Sequence, residues 1–319
     1  MKGAKQTTLR DQIAVSGIGV HSGLPVTLTL NPAGDDEGIT FRRVSADGSI
    51  EREVRADVRS VTATEFATVL GDAKGPICST AEHLLAAMRG LHVDNVIVEI
   101  DGPEVPIMDG SASAFVEALD HAGLTTRAQP RRYIEVLKPV RVTKDKTFGE
   151  LRPYGHGFRV EAEIEFDHPL IGKQALSLDV EPDTFRREIA PARTFGFMKD
   201  VAKLWSAGYA LGANFANTLV VSEDRVLNPE GLRFADEFVR HKVLDAIGDL
   251  ALAGLPLLAA YKTVRGGHNL NHAVLSALMA DTSAWRVVEA AGAAPVRRAR
   301  GHADFGAAVA VPAYGPDVS

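Results

Sequence analysis

The segment STAEHLLAAMRGLHVDNVIVEI, residues 79–100, contains a helical pattern, a Gly-Leu step and an apolar strand, in that order. Apolar residues at helical spacing between 84 and 88 predict an amphipathic helix, and Gly90 is typical of its C-terminal end. The same order returns in LALAGLPLLAAYKTV, residues 250–264. This repetition predicts two related α+β halves. A parallel Rossmann sheet is less favoured, because no G-x-G-x-x-G follows a first strand.

The sequence on either side of the segment alternates strands and turns. VTLTLNPAGDDEGITFRRV (26–44) reads as strand, turn and strand, and the glycine-rich GIGVHSG (17–23) reads as a hairpin turn. The polar stretch TTRAQPRR (125–132) is expected to be a linker. We therefore expect a first half at residues 1–126 and a second half at 127–319. Ser79 or Thr80 is the expected N-cap of the helix.

Composition places limits on the class of protein. The chain has 319 residues, is 45% hydrophobic and carries a net charge of −6, which is ordinary for a globular protein with a sizeable core. The negative charge gives no indication of a nucleic-acid partner. The single cysteine, Cys78, excludes an internal disulfide and fits a reducing compartment. No secretory signal or run of 18 apolar residues is present, so stable membrane insertion is not expected.

The long helix of the second half carries HKVLDAIGD, residues 241–249. His241 and Asp245 are four residues apart and share a face, and Asp249 extends that face by another turn. An imidazole and a carboxylate at this spacing can bind one metal ion. The alternative is an ordinary hydrogen-bonded pair on a wet surface. Lys242 is expected to point elsewhere on the helix.

Glu82 and His83 stand side by side in the first turn of the helix at residues 79–90. If His83 joins His241 and Asp245, two histidines and one carboxylate make up a catalytic zinc site with one position open for water. Glu82 could then act as the general base. The alternative is that Glu82 only favours the helix dipole and His83 lies at the surface.

A third group stands in GGHNLNH, residues 266–272. His268 follows two glycines and is expected in a loop before a helix, where it could act as a general acid. Asp249 could orient it and raise its pKa. Solvent exposure is the alternative for a loop histidine, and His272 ranks lower because nothing pairs with it. In ARTFGF, Thr194 could donate to an oxyanion and Phe195 could stack on a substrate, or the segment could be a core strand end.

Five blocks together carry a resemblance to a known family. They are STAEHLLAAMRGLHVDN, PEVPIMDGSASAFV, ARTFGFM, RVLNPEGLRFADEFVRHKVLDAIGDLAL and GGHNLN, in this order. The chain, from about Thr7 to near residue 290, resembles the zinc-dependent UDP-3-O-acyl-N-acetylglucosamine deacetylases of lipid A biosynthesis. One departure is Ala67, which stands where the family often has a cysteine beside the zinc.

The resemblance implies roles for matching positions. His83, His241 and Asp245 would bind one catalytic zinc ion, although iron(II) also suits two histidines and a carboxylate. Glu82 would be the general base. The remaining implied roles are a second catalytic group (His268), its orienting partner (Asp249), an oxyanion donor (Thr194) and two substrate contacts (Phe195, Lys242).

The resemblance also implies the architecture and the partners. The fold would be two α+β halves, each a β-sheet layer, with helices packed between the halves and the active site at their junction. An insert at 193–217 would form a passage for the acyl chain. The substrate would be a nucleotide sugar bearing an acyl chain, and a cytoplasmic monomer is expected.

Two other classes of function remain as alternatives. A scaffold or nucleotide-sugar-binding module would require the loss of a zinc ligand or of the base, and none is missing. A zinc peptidase would require H-E-x-x-H, but the order here is Glu82-His83 with no second histidine at that spacing.

Overall fold

The computed structural model describes residues 4–290 of the chain. Its strands are β1 (Lys5–Leu9), β2 (Ile13–Ile18), β3 (Pro25–Pro32), β4 (Ile39–Val44), β5 (Ile50–Arg55), β6 (Val61–Ala63), β7 (Val69–Asp72), β8 (Gly75–Cys78), β9 (Val96–Ile100), β10 (Leu124–Pro130), β11 (Arg132–Val136), β12 (Val140–Lys144), β13 (Thr147–Pro153), β14 (Phe158–Glu165), β15 (Lys173–Asp179), β16 (Phe195–Phe197), β17 (Leu219–Val221), β18 (Leu257–Val264) and β19 (Trp285–Glu289). The α-helices are α1 (Glu82–Gly90), α2 (Ser113–Ala122), α3 (Pro182–Thr184), α4 (Val201–Ser206), α5 (Glu237–Ala251) and α6 (His268–Ala280). A π-helical segment, Phe185–Ile189, follows α3, and short 3-10 helices cover Val58–Ser60 and Met198–Asp200.

Each half is organised around one central strand. In the first half the sheet order is β2-β3-β9-β4-β5, and β9 pairs antiparallel with β3 and parallel with β4. In the second half β18 pairs antiparallel with β13 and parallel with β14 and β11. Each central strand follows a helix, α1 or α5, through a short turn. The predicted α+β fold is confirmed, and the repeated sequence pattern corresponds to these two helix–strand units.

The two central helices pack against each other between the sheets. Every residue of α1 is buried, and so is the face of α5 that meets it. The apolar side chains of both sheets join them in one continuous core. Gly248 in α5 allows the backbones of the two helices to come into contact, because a Cβ at this position would lie 2.0 Å from the carbonyl oxygen of Glu82 in α1. The missing side chain therefore sets how near the ends of the two helices lie.

Two local predictions were wrong. The polar stretch expected as a linker forms β10, which pairs antiparallel with β1 near the start of the chain. The N-cap of α1 is Ala81 and makes no side-chain cap, because Thr80 takes a left-handed conformation (φ 56°) and its hydroxyl donates to Glu104 Oε1. In both cases a distant partner in the fold decides the local structure.

The expected boundary between residues 126 and 127 falls inside β10, and the division into halves at that point stays a prediction. Residues 291–319, which belong to the predicted second half, lie outside the described residues. Among residues 4–290, no helix is both long enough and apolar enough to cross a bilayer.

Candidate active site

Three side chains of the types that bind metal ions meet where α1 and α5 cross. His83 is the second residue of α1, and His241 and Asp245 are one turn apart on α5. The Nε2 atoms of His241 and His83 lie 3.3 Å and 3.6 Å from the same oxygen, Asp245 Oδ1. One ligand atom from each residue lies within 4.8 Å of the others, and all three side chains are buried.

The donor set fits a divalent metal ion. Asp245 Oδ1 is buried without a hydrogen-bond partner among the described residues, although buried carboxylate oxygens are normally satisfied. His241 Nδ1 lies 3.1 Å from the carbonyl oxygen of Ala192, and donation of a proton there leaves Nε2 free to coordinate. Burial lowers the pKa of His241 to about 3, so its imidazole is neutral, as a metal ligand must be. Two imidazole nitrogens and a carboxylate oxygen around one point match a zinc site with an open position.

The second oxygen of Asp245 is held by Lys242. The Lys242 ammonium donates to Asp245 Oδ2 at 2.8 Å, so the expectation that this side chain points elsewhere on α5 was wrong. Three residues along a helix bring the two side chains to one face. Burial alone would raise the pKa of Asp245, but the positive charge of the Lys242 ammonium opposes this, and the pKa lies well below its ordinary value. The carboxylate is therefore ionised.

Glu82 lies beside this group at the start of α1. It is buried, and its Oε2 accepts a hydrogen bond of 3.0 Å from the backbone N–H of Thr68. Its Oε1 lies 3.9 Å from Nε2 of His268. Burial raises the pKa of Glu82, while the nearby histidines oppose that rise. A proton acceptor thus faces an imidazole across the site.

His268 and Asp249 form a buried pair opposite Glu82. His268 is the first residue of α6 rather than a loop residue, because Gly267 provides the extended backbone that precedes the helix. Its Nδ1 lies 2.9 Å from Asp249 Oδ2, which leaves Nε2 facing the site. Burial would lower the pKa of His268, but Asp249 and Glu82 raise it to about 10. The imidazole is therefore held as a cation in the absence of a metal, and a divalent ion nearby would offset part of this rise.

Two residues that support Asp249 were missed by the sequence analysis. The Thr68 hydroxyl donates to Asp249 Oδ1 at 2.6 Å, and Asn271 Nδ2 donates to Oδ2 at 2.8 Å. Asn271 in turn accepts from the hydroxyl of Tyr261 at 2.7 Å. Nothing in the sequence near Thr68 signals this contact, because its partner is 181 residues away. Asn271 stands in the block GGHNLN, three residues after His268. That helical spacing was the signal that could have predicted its contact with Asp249.

The segment before and within β16 borders the other side of the site. The centres of the Phe195 and His241 rings lie 6.2 Å apart, and Lys242 Nζ lies 5.5 Å from the centre of the Phe195 ring. Thr194 is half-buried next to it, and its backbone N–H donates to the carbonyl of Gly110 at 2.7 Å. Phe195 therefore lies at the edge of the site, and Thr194 precedes it in the chain.

His272, the lower-ranked histidine, is directed away from this group. Its Nε2 lies 3.4 Å from the carbonyl oxygen of Val58 and 3.4 Å from the hydroxyl of Ser276, one turn further along α6. The structure brings Glu82, His83, His241, Asp245, Asp249 and His268 together and leaves His272 apart. Such a group can hold a metal ion, accept a proton on one side and donate one on the other.

Comparison with known proteins gives one consistent result. The family model described as UDP-3-O-acyl N-acetylglycosamine deacetylase matches residues 6–280. Proteins named UDP-3-O-acyl-N-acetylglucosamine deacetylase from Brucella ovis, Brucella suis biovar 1 and Brucella melitensis biotype 2 are each 49% identical over 288 residues. The match covers 90% of this chain and 99% of each relative.

Proposed function

We infer the function from one premise: the chain belongs to the family of UDP-3-O-acyl N-acetylglycosamine deacetylases. It is a hydrolase that removes the 2-acetyl group of a UDP-3-O-acyl-N-acetylglucosamine in lipid A biosynthesis. Water adds to the amide carbonyl, the carbon–nitrogen bond breaks, and acetate and a free amine leave. Membership of the family also implies a metal-dependent enzyme.

His83, His241 and Asp245 are the residues that we assign to the metal ion, which we propose is a single zinc ion. The same donors accept iron(II). When bound, zinc polarises the acetamide carbonyl and lowers the pKa of a coordinated water from about 15.7 to about 7. The observation that supports this assignment is the buried Oδ1 of Asp245, which has no hydrogen-bond partner within residues 4–290 and lies between two imidazole nitrogens.

Glu82 is the proposed general base. Its Oε2 is fixed by the backbone of Thr68, and its Oε1 faces the interior of the site. A carboxylate held this way accepts the proton of the attacking water without first reorienting. Its position at the start of the helix that also carries His83 places the base and a metal ligand in adjacent residues.

His268 is the proposed acid, and Asp249 is its positioning residue. The hydrogen bond between Nδ1 and Asp249 holds the ring so that Nε2 can donate toward the departing nitrogen. Asp249 in turn accepts from Thr68 and Asn271, so its orientation is fixed by three donors. The imidazolium also stabilises negative charge that develops on the carbonyl oxygen.

The remaining assigned residues contact the substrate. Thr194 would donate from its hydroxyl to the carbonyl oxygen as that oxygen gains charge. Phe195 offers an aromatic face beside the site, and Lys242 supplies a cation suited to the nucleotide diphosphate. Lys242 is already paired with Asp245, so a bound diphosphate would draw on its remaining donors.

We propose that the acyl chain lies along the insert at residues 193–217. Four large apolar side chains of this insert are about half exposed: Met198, Trp205, Leu211 and Phe215. Phe66, also exposed, contacts Tyr209 of the insert with ring centres 4.8 Å apart. Exposed apolar side chains gathered next to a polar site are typical of a binding surface for a hydrophobic group.

The acyl passage has its own test. Trp205→Ala and Leu211→Ala should raise KM for a long-chain substrate several-fold, because each removes apolar contact area. The same changes should leave KM for a short-chain analogue within about twofold. Val287→Ala, a matched change at an exposed residue of β19, should affect neither substrate. Equal losses on both substrates would contradict the passage.

The wider organisation is also part of the proposal. We place the protein in the cytoplasm as a monomer without a nucleic-acid partner, with halves at 1–126 and 127–319. A nucleotide-sugar substrate and a single buried thiol, Cys78, both favour a reducing compartment.

The decisive experiment compares acetate release by metal-analysed wild type, Glu82→Gln and Asp245→Ala. Wild type should turn over with about one tightly bound metal per chain. Glu82→Gln should keep its metal and lose at least about 10²-fold in kcat, whereas Asp245→Ala should lose the metal itself. A fully loaded wild type that is inactive on several acyl lengths would overturn the assignment. Full activity of Glu82→Gln would overturn only the role of the base.

A further inference from the structure

A second cluster of charged side chains lies at the opposite end of α1 from the active site. Arg89 is in the last turn of α1, and Arg131 stands just before β11. Both are almost wholly buried, with 8% and 5% of their surfaces exposed. They line the same cavity of about 70 Å³ between the two halves. Buried arginines normally have their donors satisfied, so the hydrogen bonds of each nitrogen matter.

The two guanidinium groups lack acceptors for several of their donors. Arg89 makes one long contact, from Nη2 to the carbonyl oxygen of Ala251 at 3.5 Å. Its Nε and Nη1 have no hydrogen-bond partner within residues 4–290. Arg131 donates from Nε to Asp94 Oδ1 at 2.9 Å, but its Nη2 has no partner in the same part of the chain. Three buried cationic donor atoms are thus left without an acceptor.

The local charge does not balance either. Asp94 is the carboxylate that acts on the charge of Arg89, and it is already shared by Arg131 and the backbone N–H of Thr7. The C-terminal ends of α1 and α5 contribute only partial negative charge. His92 adds no acceptor charge, and burial together with the two arginines lowers its pKa to about 4. Two buried cations therefore share one buried carboxylate, and an unpaired buried charge is costly.

The cavity has the size and the lining for a small ion. Its volume of about 70 Å³ exceeds the roughly 30 Å³ that one water occupies in the liquid, so a small ion fits inside. Much of its wall is apolar, formed by Phe158, Pro256 and Leu257. Glu181 stands at the mouth and is exposed to solvent. Guanidinium groups bind phosphate and similar oxyanions with two parallel hydrogen bonds.

We propose that Arg89 and Arg131 bind a small inorganic anion, of the size of chloride to phosphate, in the cavity between the two halves. The anion accepts from the donors that the protein leaves unpaired and neutralises the excess positive charge. Arg89 comes from the first half, and Arg131 belongs to the segment that begins the second half, so the bound anion joins the halves. The site is independent of the catalytic residues and would stabilise the fold rather than take part in the reaction.

The test is the thermal unfolding midpoint of the full chain at constant ionic strength. Sodium gluconate, whose anion is much larger than chloride or phosphate, is replaced stepwise by sodium phosphate or sodium chloride. Wild type should gain about 2–5 °C between zero and saturating anion, because a ligand that binds only the native state raises stability. Phosphate also stabilises proteins in general, so the comparison must be with variants in the same buffers.

Arg89→Met removes the charge and keeps an unbranched side chain. It should lose the anion-dependent gain and match or exceed the wild-type midpoint in gluconate. Arg186→Met is the control, since Arg186 forms an exposed pair with Asp120, and it should keep the full gain. If Arg89→Met folds poorly, Arg131→Met can be used in its place, and it should also lose the anion-dependent rise of the unfolding midpoint. Crystals grown in bromide should show an anomalous peak within hydrogen-bond distance of both arginines.

The outcomes are separable. A wild-type gain no larger than that of Arg89→Met, with no bromide peak between the arginines, means that the cavity holds water only and overturns the proposal. Activity of the zinc-loaded enzyme does not enter this test. If the anion site is refuted, the proposed deacetylase function is unaffected, and the reverse also holds.

Discussion

Gly248→Ala should destabilise the protein and slow the reaction, although the change is usually favourable in a helix. Gly248 is interior to α5, where replacing glycine by alanine ordinarily gains about 1 kcal/mol. Here the added Cβ would lie 2.0 Å from the carbonyl oxygen of Glu82, and 2.7 Å from its carbonyl carbon. The atoms that it meets are backbone, so no side chain can rotate away.

The size of the effect follows from that distance. An ordinary contact needs at least 3.4 Å, so α1 and α5 must separate locally by about 1.4 Å. Overpacking of this kind costs about 1–3 kcal/mol, and after the gain in helix propensity is subtracted it leaves a net loss of up to about 2 kcal/mol. The same shift moves Glu82 and His83 away from the residues of α5. A displacement of about 1 Å at reacting groups can cost about 10²-fold in rate.

The assay measures urea unfolding and the kcat of acetate release on the same preparations. Gly155→Ala is the matched control, because a Cβ at that position would meet nothing within 4 Å and its backbone is not left-handed. It should change neither quantity appreciably. A Gly248→Ala protein that is as stable as wild type and fully active would refute the view that the missing side chain sets the helix spacing.

Three further outcomes are expected. Asp249→Asn should lower the pKa of His268 and move the basic limb of the pH profile of kcat/KM about 2–3 pH units lower. The size follows because an ion pair at about 4 Å contributes about 4 kcal/mol at an effective dielectric of about 20. A basic limb that stays in place excludes His268 as its origin. Treatment of wild type with a chelator should abolish acetate release, and zinc should restore it, whereas His241→Ala should show no recovery at the same free zinc concentration. Glu237→Ala should cost about 3–5 kcal/mol in urea unfolding, because it removes the fully buried partner of the Arg193 guanidinium and leaves the exposed Glu230 as its remaining carboxylate. Asp120→Ala in an exposed pair should cost less than about 1 kcal/mol.

Local sequence predicted those parts of the fold that depend on local pattern. The helix–Gly-Leu–strand repeat predicted both central units, because amphipathic periodicity and glycine stops act over a few residues. The polar composition of residues 125–132 could not reveal β10, since its pairing with β1 depends on a strand more than a hundred residues earlier. The cap of α1 failed for the same kind of reason, because Glu104 draws away the Thr80 hydroxyl.

In the candidate site, too, residues related by local spacing could be predicted, and those brought together by tertiary packing could not. The spacing of His241 and Asp245 along one helix predicted a shared face, and the structure places them there. The residues alone left the link from this helix to His83 as one of two alternatives, and the resemblance implied it, because their meeting depends on how α1 and α5 pack. Thr68 carried no local signal, although it holds both Glu82 and Asp249 in position.

The strands at the two ends of the described chain meet at one residue. The backbone N–H of Arg131 donates to the carbonyl of Ala4 at 3.0 Å, and its carbonyl accepts from the N–H of Ala290 at 2.8 Å. Residues 4 and 290 are thus both hydrogen-bonded to the backbone of a single residue near the middle of the chain, which closes the described backbone into two loops. During synthesis β1 can pair with β10 well before β19 has been made, so only the Ala290 side of this junction waits for the last described strand. A circular permutant that joins these ends and opens a surface turn elsewhere would remove that wait.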